Sequence, residues 1–381
     1  MTFLGARVHQ LHQGPVKGLD VTGSHIATGG PEGVVRVLSI NGEHLGSSTA
    51  HTDIVNSVAL DSKGMVASGS RDRTVRVYDP LIGRSYVVGD HDHWVMSVTW
   101  SDDDSMIASG SEDGTVGIWD PNGSAVRRID LGYPTNSVDW RGDVIAVANG
   151  DRKLYLLDGD GGLRRTVSGA DQLLWSVALS PDARRVAWTG RDRRLRIVDV
   201  AAGDPIVIPA HAAQVWSVTW DESGDRLVTA SADGTAAIWT PLGEAVERVA
   251  APAWVRRALF RGAELYLATE DGELRILSAD GLAADSPRPI EIPTIPGSCI
   301  HWNPQVDKAG HRPRCGECGS HEETRLCVTC GHIGCCESQL AHGTKHWLET
   351  GHPNTVPAVP GPYEWKWCYD DDMYVKVTGS Q

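Results

Sequence analysis

The feature that most constrains this chain is a period of about forty residues that runs through its first three quarters. Ser57-Val58, Ser97-Val98, Ser137-Val138, Ser176-Val177, Ser217-Val218 and Arg257-Ala258 recur at successive offsets of 40, 40, 39, 41 and 40. Gly18-Leu19 precedes the first pair by 39, which makes seven units. Within a unit, short runs alternate apolar and polar residues and are separated by polar and Gly turns. The third unit shows this at residues 95–100, 106–110 and 115–119. Alternation of period two marks half-buried strands, and no segment carries a helical period. One such unit cannot cover both faces of its own small sheet, so neighbours must stack on it.

A second feature lies beyond the repeats. Residues 315–352 hold six of the eight cysteines of the chain. Two Cys-x-x-Cys pairs, Cys315/Cys318 and Cys327/Cys330, are followed by Cys335 and then by His342, His346 and His352. Thiolate and imidazole at this spacing suit tetrahedral Zn²⁺. A disulfide-stapled module is the competing reading. It is the weaker one, since residues 1–5 open no cleavable apolar segment and a cytoplasmic chain with reduced thiols is expected. Between the two features, residues 281–296 carry four prolines and no period. They read as a semi-rigid linker between a domain at 1–280 and a smaller one at 297–381.

Charge and hydropathy remove two classes of partner. The formal net charge is −14, spread along the chain, which disfavours nucleic acid. No run of about 18 apolar residues is present, so no membrane span is expected.

The repeats resemble the WD-repeat β-propeller family. The residues that carry the likeness are the Ala-Ser-Gly-Ser-x-Asp-x-Thr runs at 67–74 and 108–115, the related run Ala230-Ser231-Ala232-Asp233-Gly234-Thr235, and the pair Trp119-Asp120. Units four and seven depart most from the pattern and keep only the turn Asp. The resemblance implies an all-β, seven-bladed ring. Residues 3–9, which belong to no repeat, are then expected to supply the outer strand of the seventh blade. It also implies that sets such as His91, Ser109, Asp113 and Trp119 tie strands together. The same set recurs as His51, Ser68, Asp72, Tyr78 and as His211, Thr229, Asp233, Trp239. A catalytic triad is not built three times. Trp94, Trp175, Trp216 and Trp254 stand at the start of inner strands and are expected to rim the central channel, near Asn56, Asn136 and Arg256. Loop residues Arg71, Arg73, Arg152, Lys153, Arg191, Arg193 and Arg194 reach the same face. Trp and Arg dominate protein-binding hot spots, while core filling between blades is the other reading of these tryptophans.

The cysteine-rich stretch resembles the UBP-type zinc finger, known for binding ubiquitin. The likeness rests on Cys315-x-x-Cys318, the run from Leu326 to Cys335, His342-x-x-x-His346 and Glu349-Thr350-Gly351-His352-Pro353. Cys299-Ile300-His301 upstream and Trp365-Lys366-Trp367-Cys368-Tyr369 downstream extend it. The Gly334-Cys335-Cys336 form is similar to bacterial members, in keeping with a chain in which Arg outnumbers Lys. The resemblance implies a small α+β domain with a helix over 338–350 and closed zinc sites. One site takes Cys315, Cys318, Cys335 and His342; a second takes Cys327, Cys330, His346 and His352. A third takes Cys299, His301 and Cys368, with Asp371 where the family has Cys. Closed four-ligand sites are structural. For a peptide end, the family pattern points to Trp367, Tyr369 and Tyr374 as aromatic walls. Its carboxylate-clamping Arg is replaced here by Glu337, and Arg325 is a candidate substitute. Glu337 would repel a tail carboxylate. The function this suggests is a non-enzymatic adaptor for other proteins or peptide tails, ubiquitin-like or otherwise. A hydrolase or deubiquitinase-associated enzyme, and a finger that only caps the propeller, are the rivals.

Overall fold

In the computed structural model the described residues are 7–278, joined further on only by the backbone of five strands. The chain divides into two compact units, Met1–Ile292 and Pro293–Gln381. In the first, the described residues form seven four-stranded antiparallel sheets and no helix. Blades 1 to 6 each take four consecutive strands. Blade 1 runs Gly18–Thr22, His25–Gly29, Val35–Ser39, His44–Ser48. Blade 2 starts at Val55–Leu60, blade 3 at Val95–Trp100, blade 4 at Thr135–Arg141, blade 5 at Leu174–Leu179 and blade 6 at Val215–Trp220. Blade 7 has Val255–Arg261, Glu264–Thr269 and Glu273–Ser278, and its fourth strand is Arg7–Gln10 from the start of the chain. Arg7 pairs with Ile276 and Gln10 with Glu273. The ring is therefore closed by the segment that lies outside the repeats, as the seven-unit count requires.

The repeated Ser-Val pair has a structural cause. The first strand of each blade is an edge strand, and the N–H groups on its free side need acceptors. A hydroxyl from the preceding blade supplies one. Val98 N donates to Ser57 Oγ at 3.2 Å, Val138 N to Ser97 Oγ at 3.2 Å, and Val177 N to Ser137 Oγ at 3.3 Å. Val218 N and Ala258 N do the same to Ser176 and Ser217. Asp20 and Asp139 act similarly one step along, accepting from Leu60 N and Leu179 N at 2.7 Å. The closing junction differs: Arg257 stands where blades 2 to 6 have Ser, and its Nε donates to Lys17 O at 3.2 Å. Burial pushes the Asp20 carboxyl above its usual range, against two backbone N–H groups and the charges of Arg141 and Arg257. The inner strands of all seven blades, Asp20, Asp139, Arg141 and Arg257 included, line a central cavity of about 540 Å³.

Between blades the core is apolar and is divided into separate clusters. Val144, Leu154, Leu156, Leu174, Val186 and Trp188, for example, form one buried cluster across blades 4 and 5. Gly69 shows how tight the contact is, since a Cβ there would stand 2.6 Å from Val95 Cγ1 of the next blade.

In the second unit, strands Thr324–Cys327, Ile333–Cys335, Asn354–Pro357, Trp365–Cys368 and Met373–Lys376 form one sheet. Ile333–Cys335 is at one edge, followed by Thr324–Cys327, Asn354–Pro357, Trp365–Cys368 and Met373–Lys376. All described pairings are antiparallel. The helix expected over 338–350 lies outside the described residues.

Candidate binding face at the mouth of the propeller

Two kinds of polar cluster in the propeller invite a functional reading. The first is the His–Asp–hydroxyl set. In blade 3, His91 Nδ1 lies 3.0 Å from Asp113 Oδ2, and His91 Nε2 lies 2.7 Å from Ser109 Oγ. Trp119 Nε1 donates to the same Ser109 Oγ at 2.7 Å. An ionised carboxylate only accepts, so Nδ1 carries the proton and Nε2 takes the hydroxyl hydrogen. The proton order is that of a hydrolytic triad. The chemistry is not: His91 and Ser109 are buried, and the serine oxygen is capped by the indole. The set repeats at His51, Ser68 and Asp72, and again at His211, Thr229, Asp233 and Trp239. Blade 1 holds a variant in which His12 joins Glu32 and Thr28.

Blades 4, 5 and 7 lack the histidine, yet each holds its turn Asp from within. Tyr155 donates to Asp151 at 2.8 Å, buried Arg196 pairs with Asp192 at 2.5 Å, and Thr269 donates to Asp271 at 2.5 Å. Blade 5 thus departs from the repeat as much as blades 4 and 7 do. Burial alone would raise the carboxyls of Asp72, Asp113 and Asp233. Hydrogen bonds from His51, His91 and His211 and from the following Thr outweigh it and hold all three well below the usual range. Burial pushes His211 and His12 down. These clusters tie strands within a blade.

The second cluster is at the end of the ring where the inner strands begin. In blades 2 to 7 the register of the first strand slips at one point, and the residues passed over are Asn56, Met96, Asn136, Trp175, Trp216 and Arg256. A bulge re-aims its extra side chain, and here consecutive bulge residues meet across blades. Asn56 reaches Met96 Sδ and donates to Val95 O at 3.0 Å, and Asn136 donates to Leu174 O at 2.8 Å. Trp175 and Trp216 are 5.4 Å apart between ring centroids. The Arg256 guanidinium lies 4.1 Å over Trp216 and 6.0 Å from Trp254. Arg256 Nε is also ion-paired with Glu270.

The four predicted rim tryptophans thus occupy two positions rather than one. Trp175 and Trp216 are bulge residues; Trp94 and Trp254 come one residue before their strands. All four are half-buried. Trp94 carries its own cation, buried Arg71 at 4.4 Å, and lies against the tilted ring of His93 at 4.6 Å. The loop cations reach this end too. Arg194 pairs with Asp171 at 2.6 Å and Arg152 donates to Asp171 O at 3.3 Å.

The residue after the turn acid has positive φ throughout the ring. It is Gly33, Gly114, Gly234 and Gly272 in four blades but Arg73, Arg152 and Arg193 in three. Glycine bears that conformation without cost, and arginine does not. The position is marked in the sequence by being either Gly or Arg.

Three stretches, residues 42–79, 84–120 and 205–240, match the family described as WD domain, G-beta repeat. Residues 315–379 match the family described as Zn-finger in ubiquitin-hydrolases and other protein. The chain carries WD repeats and, after them, a UBP-type zinc finger. The first WD match begins just before the outer strand of blade 1 and ends with the third strand of blade 2. A WD repeat therefore straddles two blades, which is why ring closure needs the N-terminal strand.

Relatives of partial length are similar to this chain. A Protein transport protein SEC13 of Cryptococcus neoformans is 31% identical over 80 residues, 19% of this chain and 24% of its own length. The BRCA1-associated protein of Homo sapiens is 37% identical over 62 residues, 16% and 10%. The NAD-dependent deacetylase sir2A of Dictyostelium discoideum is 27% identical over 92 residues, 22% and 17%. The chain thus spans a quarter or less of the length of these relatives.

A finger of the UBP type implies bound zinc, and the clustered thiolates and imidazoles of 315–352 are suited to it. The side chains of the expected ligands Cys299, His301, Cys315, Cys318, Cys327, Cys330, Cys335, His342, His346, His352, Cys368 and Asp371 lie outside the described residues. So do those of Arg325, Glu337, Trp367, Tyr369 and Tyr374. Among the described residues no group of three or more His, Cys, Asp or Glu could hold a metal ion, and no helix is long and apolar enough to cross a membrane.

Proposed function

We propose that this protein is a non-enzymatic adaptor of the cytoplasm. The propeller, residues 1–280, docks one protein partner at its Trp- and Arg-lined mouth. The finger, residues 297–381, reads a peptide tail on another, across a linker at 281–296. The observation that carries this reading is the mouth itself. Half-buried tryptophans stacked with arginines stand at the centre of one face, where hot-spot residues of protein interfaces are concentrated. Every triad-like set described in the propeller is instead a buried tie repeated from blade to blade.

On this reading the zinc sites hold the finger's fold. Trp367, Tyr369 and Tyr374 wall its groove, and Glu337 turns its preference away from a free tail carboxylate toward a neutral or basic peptide. Arg325 would restore a carboxylate preference if it faced the groove.

The test is site-specific photo-crosslinking of the full chain, with the probe placed at Ala213 beside the mouth, at Ser338 in the finger, or at the outer-strand control Val126. Distinct protein adducts from the first two probes and none from the third are expected. If the mouth and the control give the same adducts, the propeller half of the proposal falls; the same result from the finger probe sinks the other half.

A further inference from the structure

Unpaired donors outnumber acceptors at the mouth, where Gln214 Oε1 is also without a partner. Arg256 is only 7% exposed, and its Nη2 has no hydrogen-bond partner. Trp216 Nε1 and Trp175 Nε1 are also buried and without an acceptor. These three donors belong to one unbroken stack, since Trp175 meets Trp216 at 5.4 Å and Trp216 meets Arg256 at 4.1 Å. Buried donors left unpaired are costly, so a cluster of them in a native fold points to an acceptor supplied from elsewhere. Glu270 takes Arg256 Nε and so fixes the guanidinium with Nη2 uncommitted. The neighbouring loops of blades 4 and 5 add Arg152, Lys153, Arg193 and Arg194, two of them held in the left-handed backbone region that other blades give to glycine. Lys153 and Arg194 are paired with Asp151 and Asp171, so the cations of this sector stand in a mixed rim on a protein of net charge −14.

We propose that the Trp175–Trp216–Arg256 sector binds a carboxylate carried on an extended peptide segment of the partner. This names the chemistry of the partner at the mouth and rests on the adaptor reading given above. A carboxylate oxygen meets Arg256 Nη2 in a charge-assisted hydrogen bond, and the indole N–H groups take the second oxygen or the adjacent peptide carbonyl. The donors are already desolvated, and Arg256 is held by Glu270 and Trp216, so binding requires a side-chain shift that uncovers them rather than their ordering. The chain flanking the carboxylate then runs over the cationic loops of blades 4 and 5.

The test is selection of a displayed random twelve-residue peptide library on the full-length protein, with the wild type, Arg256→Gln, Glu270→Gln and Trp216→Leu in parallel. Wild-type pools should be enriched in Asp and Glu by about threefold over the input, and Arg256→Gln pools should not be. For a synthesised winner, replacing its key Glu by Gln should weaken Kd at least tenfold on the wild type and less than twofold on Arg256→Gln. Glu270→Gln keeps an oxygen that can accept from Arg256 Nε but removes a negative charge that repels the incoming carboxylate, so it should tighten binding severalfold; misfolding cannot mimic that gain. If wild-type winners are neutral or basic and Trp216→Leu still abolishes them, the mouth binds peptides and the carboxylate proposal is wrong. If no peptide is enriched over the library on any variant, the mouth is not a docking site and both readings fail.

Discussion

Two threonines of the propeller are equally inaccessible and yet should respond in opposite directions to the same substitution. Thr229 and Thr189 are each fully buried. Thr229 Oγ1 accepts from Trp239 Nε1 at 2.9 Å and is bonded to His211 Nε2 at 2.8 Å. Thr189 Oγ1 has no partner. It pairs with Ser176, at the point where the other blades with that Ser place Gly69, Gly110, Ala148 or Ala230 opposite it. Valine matches threonine in shape, so each substitution removes a hydroxyl and little else. Thr229→Val strands an imidazole nitrogen and an indole N–H, at about 1–3 kcal/mol each, and a loss of about 3 kcal/mol is expected. Thr189→Val removes a hydroxyl that lost its water on folding and gained nothing, so a gain of about 1 kcal/mol is expected. Urea unfolding followed by tryptophan fluorescence, analysed with a common slope, reads both values. In thermal unfolding the pair should separate by roughly 8–16 °C, at about 2–4 °C per kcal/mol for a domain of this size. Shifts of the same sign, or a Thr229→Val loss below about 1 kcal/mol, would refute the view that these hydroxyls are structural ties whose worth is set by their partners.

Three further outcomes follow from the same geometry. Buried His12 and His211 have lowered pKa values, so the unfolded chain binds more protons once pH falls below about 6.5. Stability should therefore be flat above pH 7 and begin to drop below 6.5. It should drop more steeply below about 4, where the depressed carboxyls of Asp72, Asp113 and Asp233 are outcompeted by their unfolded counterparts; a melting temperature independent of pH from 7 to 5 would contradict this. Deleting residues 1–10 leaves Glu273–Ser278 as an exposed edge, and a lower urea midpoint with concentration-dependent association in size-exclusion chromatography is expected; an unchanged monomeric ring would rule out the closing role. The purified chain should carry three zinc ions by elemental analysis and two after Cys299→Ser with Cys368→Ser, whereas an unchanged count would remove those residues from the ligand set.

Much of this architecture was legible in residues alone. The forty-residue spacing of the Ser-Val pairs prescribed seven stacked units, because a small sheet with two apolar faces has no other way to bury both. The N-terminal stretch left over from the count prescribed the closing strand, and the repeated His, Asp and hydroxyl positions argued by their repetition for structural ties. The WD and UBP-type zinc-finger signatures could be read from the same residues, since turn chemistry and metal-ligand spacing are local. What remained hidden was everything decided between units. A bulge is a mismatch of two strands, so the sequence could place Trp175, Trp216 and Arg256 near the rim but not as the residues passed over where the register slips. That Trp94 and Trp254 occupy a different position from these depends on the same slip. Likewise Ser57 could be seen to recur, but not that it accepts from Val98 in the next blade. Residues some forty apart in the chain become neighbours only when the ring has closed, and the unpaired donors of the mouth exist only in that closed geometry.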